Sequence, residues 1–371
     1  MNLSYWEQHT WFDNVDFCIV GSGIVGLSCA LQLRKKHPKA KILILEKGIL
    51  PQGASTKNAG FACFGSASEL LSDVKNHTKE ELLNLVQKRV DGLELLKSTL
   101  GEKQIDFRQH GGYEVFLKKN EDTFENCEAN LQMFNELLHP VFKANTFKLK
   151  TNDFGFKNAL PNLIFNPFEG QIDTGKMMQA LLKKAQSEGI LILNSIEVKS
   201  FSTEAESVHI QLKDFDFKAK HLLIATNAFA SELLELNVTP ARNQVLITKP
   251  ILNSSIKGTF HLDEGFYYFR NIHNRILLGG GRNLDSDGET TSVLETTTRI
   301  QNALEDLLKD VILPDYNFEI DQRWSGILGV GQQKSPIIKP ISNRVFCAVR
   351  LGGMGVAIGS SVGKELADLV D

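Results

Sequence analysis

Short, unbroken apolar runs alternate with amphipathic stretches from the start of the chain. Phe17-Cys18-Ile19-Val20 carries four β-favouring apolar residues in succession, the pattern of a strand covered on both faces. Residues 27–36 follow with apolar positions at 27, 30, 31 and 33, the spacing of a helix with one buried face. Residues 41–45 form a second buried strand. The pattern then predicts helices over Lys79–Leu100, 121–138 and Thr174–Ser187, the last closing at Gly189. Strands are expected at 190–193, Val208–Leu212, 244–249, 265–270, Arg275–Gly280 and Val345–Val349, and a closing helix at 356–370. Parallel-type buried strands joined by helices, beside hairpin-forming strands, define an α/β chain with an α+β portion.

Between the first strand and the first helix stands Gly21-Ser22-Gly23-Ile24-Val25-Gly26, a G-x-G-x-x-G turn, and Glu46 ends the second strand. Strand, glycine turn, helix, strand and acid fit one dinucleotide-binding βαβ unit. Gly21 permits the tight turn, Gly23 admits a pyrophosphate to the backbone, and Gly26 brings the helix close to the strand. The helix N-terminus offers free N–H groups and a positive dipole end. Glu46 can accept hydrogen bonds from a ribose, with Lys47 beside it. The basic run Arg34-Lys35-Lys36 is the solvated end of the helix, favoured by its dipole. Next comes a small, polar segment, Gly53-Ala54-Ser55-Thr56-Lys57-Asn58-Ala59-Gly60-Phe61. It has little to bury and suits a loop lying along an extended polar ligand.

Composition narrows the class. The 371 residues are 42% hydrophobic and 23% charged, enough for a sizeable core and one or two domains. Forty-one basic against 44 acidic side chains give a net charge of −3, without the basic excess of a nucleic-acid binder. Cys18, Cys29, Cys63, Cys127 and Cys347 lie far apart with no C-x-x-C pair, so reduced thiols and no metal site are expected. No apolar stretch reaches the ~18 residues of a membrane span, and residues 1–12 do not read as a secretory signal. The expectation is a soluble, cytoplasmic protein. Most of the 23 Phe are assigned to the core.

Four further stretches extend the picture. They are Phe107-Arg108-Gln109-His110-Gly111-Gly112, the strand 221–225 running into Thr226-Asn227-Ala228, Trp324-Ser325-Gly326, and Gly352-Gly353-Met354-Gly355 opening the closing helix. With the glycine fingerprint they span nearly the whole chain, which resembles the D-amino-acid oxidase, glycine oxidase and sarcosine oxidase (DAO) family of FAD enzymes. The resemblance implies a Rossmann-like FAD-binding domain and a discontinuous second domain built on an antiparallel sheet. The FAD-binding domain would comprise residues 1–70, 155–235 and 324–371; the substrate-binding domain would comprise 71–154 and 236–323.

It implies non-covalently held FAD along Gly21, Ser22, Gly23, Ile24, Val25, Gly26, Glu46, Lys47, Ser55, Thr56, Lys57, Ala59, Gly60 and Phe61. Val198 would meet the adenine, Ala225 and Thr226 would end beside the pyrophosphate, and Gly326, Gly352, Gly353, Met354 and Gly355 would line the flavin side. The turn at 352–355 is a second glycine-rich helix N-terminus, whose dipole suits the negative charge a flavin gains on reduction.

The reaction implied is oxidation of a C–N bond in a small amine or amino acid by hydride transfer to flavin N5. Tyr267 falls at the family's substrate tyrosine. The clamp arginine expected after Trp-x-Gly is replaced by Ile327-Leu328-Gly329, which leaves Arg282, Arg350 and Arg242 as candidate anchors. His110 is read as a loop histidine. Two other readings stand beside this one: oxidation of a carboxymethylaminomethyl-modified tRNA uridine, and a non-catalytic flavin-holding subunit of a larger complex. Oligomeric state is not predicted.

Overall fold

A computed structural model describes residues 3–370. The strand Val15–Val20 pairs in parallel with Ile42–Glu46 on one side and Asp216–Ile224 on the other. Leu191–Asn194 extends the sheet beyond Ile42–Glu46, and Val345–Val349 extends it beyond Asp216–Ile224, both in parallel. The short edge strand Ile337–Pro340 runs antiparallel.

Alternation along Val15–Val20 divides its side chains between two layers. Phe17 and Ile19 enter the core under the helices Ile24–Lys36, Thr174–Ser187 and Gly355–Asp368. Cys18 and Val20 face the core roofed by Val198–Thr203 and Val208–Leu212. Both faces are buried, which explains the continuous apolar runs. Gly359 and Gly363 of the C-terminal helix lie directly against Ile24 and Val25 of the first long helix.

A second, eight-stranded sheet has the order 320–330, 239–248, 275–280, 267–272, 259–262, 112–114, 162–166, 148–151. It is antiparallel except where Thr259–Leu262 meets Gly112–Glu114. One face packs on the helix Thr298–Leu307 around Phe156, Phe260 and Phe269, and Phe260 and Phe269 stack at 4.5 Å. The other face meets Ala59 and Phe61 through Val245, Leu277, Tyr268 and Trp324.

Sheet membership departs from the expected borders. Residues 162–166 and 324–330, placed by sequence with the dinucleotide unit, pair within the second sheet, the latter as part of Ile320–Val330. The Trp-x-Gly stretch is therefore the edge of that sheet. The helix expected at 121–138 runs on to Phe142, through Pro140. The hairpin turn expected over 271–274 tightens to His273-Asn274, both at positive φ (48° and 60°), as a two-residue type I′ turn requires.

Candidate functional site

A cleft of about 420 Å³ opens at the C-terminal ends of the parallel strands, where open α/β sheets bind ligands. Of the sequence candidates, Gly21, Gly23, Ile24, Val25, Glu46, Lys47, Ser55, Val198, Ala225, Thr226, Gly353 and Gly355 line it. The turn is compact. A Cβ on Gly26 would stand 1.9 Å from the Gly21 carbonyl oxygen, so only glycine lets the helix begin there. Ser22 is wholly buried, and its N–H and hydroxyl donate to Glu46 Oε2 at 3.0 and 2.8 Å. Glu46 Oε1 accepts the Gly48 N–H at 3.0 Å. The acid thus pins the glycine turn as well as facing the cleft, and its two oxygens keep acceptor capacity for a ribose diol. The Ile24 N–H, expected free at the helix N-terminus, donates to Ser55 Oγ at 3.0 Å. Lys47 lies at the rim, 2.9 Å from Glu197 and 3.4 Å from Glu232, and Glu197 chiefly holds its pKa up.

The cleft fits a dinucleotide on an independent observation. Thr226 Oγ1, in its wall, is buried with no hydrogen-bond partner, although buried polar groups are normally paired. Next to it stands Asn227. Its φ of 48° is left-handed, a conformation that asparagine tolerates better than most residues. Its Oδ1 accepts the N–H groups of Arg350 and Leu351, each at 3.1 Å, which fixes the turn entering the C-terminal helix.

The remaining cofactor candidates lie outside the cleft wall. Thr56 turns its hydroxyl back to the carbonyls of Pro51 and Gly53. The Lys57 carbonyl accepts the Trp324 indole N–H at 2.9 Å, and a Cβ on Gly326 would lie 3.2 Å from Lys57 Cβ. Ala59 and Phe61 pack under the second sheet, and Gly60 lies against Arg270. Gly352 donates its N–H to Gly329. Met354 caps the C-terminal helix, with its sulfur 3.6 Å from Cys63 Sγ.

Two of the candidate anchors are already committed. Arg350, buried and with a left-handed φ of 66°, spends its guanidinium on the carbonyls of Ser335 and Asn237. Arg242 forms a buried bidentate pair with Glu289, both contacts at 2.9 Å. Tyr267, the candidate substrate tyrosine, does not face the cleft. It points into the core beneath the helix Thr298–Leu307 and lines a separate cavity there. Its neighbour Tyr268 takes the opposite face and contacts Phe61 edge-on at 5.4 Å.

Arg282 belongs with Tyr268. Its guanidinium lies 5.0 Å from the Phe266 ring and, among the described residues, has neither a hydrogen bond nor a carboxylate partner. Burial lowers its pKa, while the nearby Tyr268 acts in the opposite sense. The Tyr268 hydroxyl accepts from Asn243 Nδ2 at 3.1 Å, leaving Asn243 Oδ1 buried and unpaired. Neither Tyr268 nor Asn243 was among the sequence candidates. Strand alternation carried the signal, without saying which face meets the dinucleotide unit.

All five cysteines are free and buried. Burial pushes the Cys63 thiol well up, with Glu169 and Glu69 adding to it. No helix among the described residues is long and apolar enough to cross a membrane.

Comparison with known proteins agrees with this architecture. "Gamma-glutamylputrescine oxidoreductase" of Escherichia coli (strain K12) is 21% identical over 378 residues, covering 96% of this chain and 83% of that protein. "Probable oxidoreductase OrdL" of Haemophilus influenzae is 20% identical over 97% of this chain and 84% of its own length. Among solved structures, L-proline dehydrogenase from P. horikoshii superposes with a TM-score of 0.75 at 20% identity, covering 96% of this chain and 93% of that one. Glycine oxidase from Geobacillus kaustophilus gives 0.74 at 18%, covering 96% and 95%. The DAO family, described as "FAD dependent oxidoreductase", matches residues 16–369. With the glycine turn, its acid and the helix-opening turn at 352–355 meeting around one cleft, the chain belongs to the DAO family and is an FAD-dependent oxidoreductase.

Proposed function

We propose that this enzyme oxidises a C–N bond of a small amine or amino acid carrying an anionic end, with Arg282 as the anchor of that end. The observation that carries the reading is Arg282 itself: a half-buried guanidinium without a carboxylate, on the same side of the hairpin as Tyr268. When bound, FAD supplies the acceptor, at N5, for the hydride leaving the substrate carbon. The chain's residues do the holding. Arg282 pairs with the anionic group, and the Tyr268 hydroxyl donates to it. Asn243 Oδ1 accepts an N–H of the substrate amine and orients the carbon. The two glycine-rich helix starts, at Ile24 and Gly355, direct positive dipole ends toward the cofactor. The relatives' names point to similar chemistry, since proline, glycine and γ-glutamylputrescine are amino acids or amines.

A panel of amines and amino acids, scored by bleaching of the flavin under anaerobic conditions, tests the reading. At least one anionic amine should bleach it; no bleaching with any member would favour the flavin-holding subunit instead. A charge-assisted hydrogen bond contributes about 1.5–3 kcal/mol. Arg282→Ala should therefore raise KM at least ~10-fold and leave FAD content unchanged. Arg282→Lys should rescue poorly where the contact is bidentate. Tyr268→Phe should raise KM and Tyr267→Phe should not. Unchanged kinetics in Arg282→Ala would remove the anchor from this account.

A further inference from the structure

Arg270 is 2% exposed, yet its guanidinium makes no hydrogen bond and no ion pair among the described residues, and its Nε is buried without an acceptor. Asp173 and Asp106, in the same cavity, act on it only from beyond ion-pair distance. Buried charges are ordinarily in direct contact with a partner, so a guanidinium without one at the wall of a cavity points to an external partner. The side chain leaves Tyr267–Ile272 on the same face as its register partner Leu277. It passes Gly60, where a Cβ would stand 2.9 Å from Nη2. It then reaches a cavity of about 160 Å³, whose mouth carries the exposed side chains of Arg108 and His273. Gln171 lines the same cavity. Its Nε2 donates to the Asn271 carbonyl at 3.1 Å, while its Oε1 is buried with no donor. One small cavity thus has orphaned donors and an orphaned acceptor in its lining. It shares no lining residue with the dinucleotide cleft.

A cation fits poorly. Asp106, Asp173 and His273 bring ligand atoms within 4.8 Å of one another. Asp106 is already held by Arg108 at 2.9 Å and Lys176 at 3.3 Å. Asp173 Oδ1 caps the helix Thr174–Ser187 by accepting the Lys176 N–H at 2.9 Å. The fixed positive charge of Arg270 opposes a metal ion further. A carboxylate, whose two oxygens match the guanidinium fork, suits the site, and a hydroxyl or ammonium on the same molecule would satisfy Gln171 Oε1. We propose that this cavity is a second ligand site, binding a small carboxylate that also carries a hydrogen-bond donor, with Arg270 as its charge partner.

The proposal is independent of the flavin chemistry and is tested by calorimetric titration of the anaerobic holoenzyme with glycolate. Saturable binding of glycolate is expected, with none of methylammonium. Arg270→Gln should weaken it at least tenfold. Gln171→Glu, which builds a carboxylate into the cavity beside Arg270, should do the same and raise the melting temperature. Arg282→Ala should retain glycolate binding, separating this site from the substrate anchor. If Arg270→Gln does not fold, Gln171→Glu decides the matter. Absence of saturable binding overturns the proposal. So does binding that survives both cavity variants in the Arg282→Ala background, or binding lost in Arg282→Ala alone.

Discussion

The pair His261–Glu169, with Nε2 and Oε2 2.9 Å apart and both residues almost fully buried, ties the loop after Phe61 to the second sheet. The Phe64 N–H and the Thr259 hydroxyl also reach the Glu169 carboxylate. Burial alone would lower the His261 pKa, but Glu169 outweighs it and raises the value to about 9. Nearby, burial raises Glu114 to about 7 against the hydrogen bonds of Ser68 and Ser66. Both groups hold protons in the folded state that the unfolded chain has released, so both make stability fall as pH rises. The His261 contribution is complete below about 6.5 and is lost as pH climbs through about 9. Melting temperature should therefore decline across that window, and His261→Gln should flatten the upper part of the decline. An unchanged slope in the variant would assign the pH dependence elsewhere. The same scale explains why the substrate anchor was hard to read. Arg242 and Arg350 stayed among the candidates because their partners, Glu289 and the carbonyls of Ser335 and Asn237, come from distant segments the local pattern does not name.

Among the elements, the helix Ile24–Lys36 shows how much was legible and why. The determinants of its start that the sequence carries lie in one contiguous βαβ stretch, residues 17–46: the glycine turn, the buried strand before it, and the acid at the end of the next strand. The Ser55 hydroxyl that accepts the Ile24 N–H lies beyond it. The Cβ of Gly26→Ala would meet the Gly21 carbonyl oxygen at 1.9 Å, so the helix would have to withdraw from the strand. FAD content measured by absorbance after purification should fall at least ~10-fold, or the protein should not fold; retention of full FAD would contradict this account of the turn. The hairpin Tyr267–Ile272 and Arg275–Gly280 was equally legible as a hairpin, but its facing was not. Strand alternation puts Tyr268, Arg270 and Leu277 together and Tyr267 with Phe269. Only the packing of Phe61 and Trp324 on one side, and of the helix Thr298–Leu307 on the other, settles which set meets which neighbour. That 162–166 and 324–330 pair within the second sheet was illegible for a related reason, since pairing partners across a sheet are not written in the local pattern.

Among the described residues, two eight-stranded sheets are joined where the segment 54–62 passes between them, and Phe61–Ala62 pairs antiparallel with Gly170–Gln171 in a small sheet of its own. The segment is fastened by the Trp324 indole to the Lys57 carbonyl and by the Phe61 ring to Tyr268. No cysteine is exposed there: Cys63 is buried beside Met354, with its thiol held protonated, and Cys347 lies within a fully buried strand. The cofactor should accordingly be released intact by acid precipitation, with the yellow colour in the supernatant; colour retained in the pellet would show a covalent link. The contact of Gly359 and Gly363 with Ile24 and Val25 has a temporal meaning. The helix that opens the nucleotide cleft, Ile24–Lys36, is made about 330 residues before its covering partner, Gly355–Asp368. At about 5–20 residues per second, the early helix and its sheet wait on the order of tens of seconds with their apolar faces uncovered. That wait is a window in which the uncovered faces can associate wrongly, and the nucleotide cleft is not walled on this side until Gly355–Asp368 has been made.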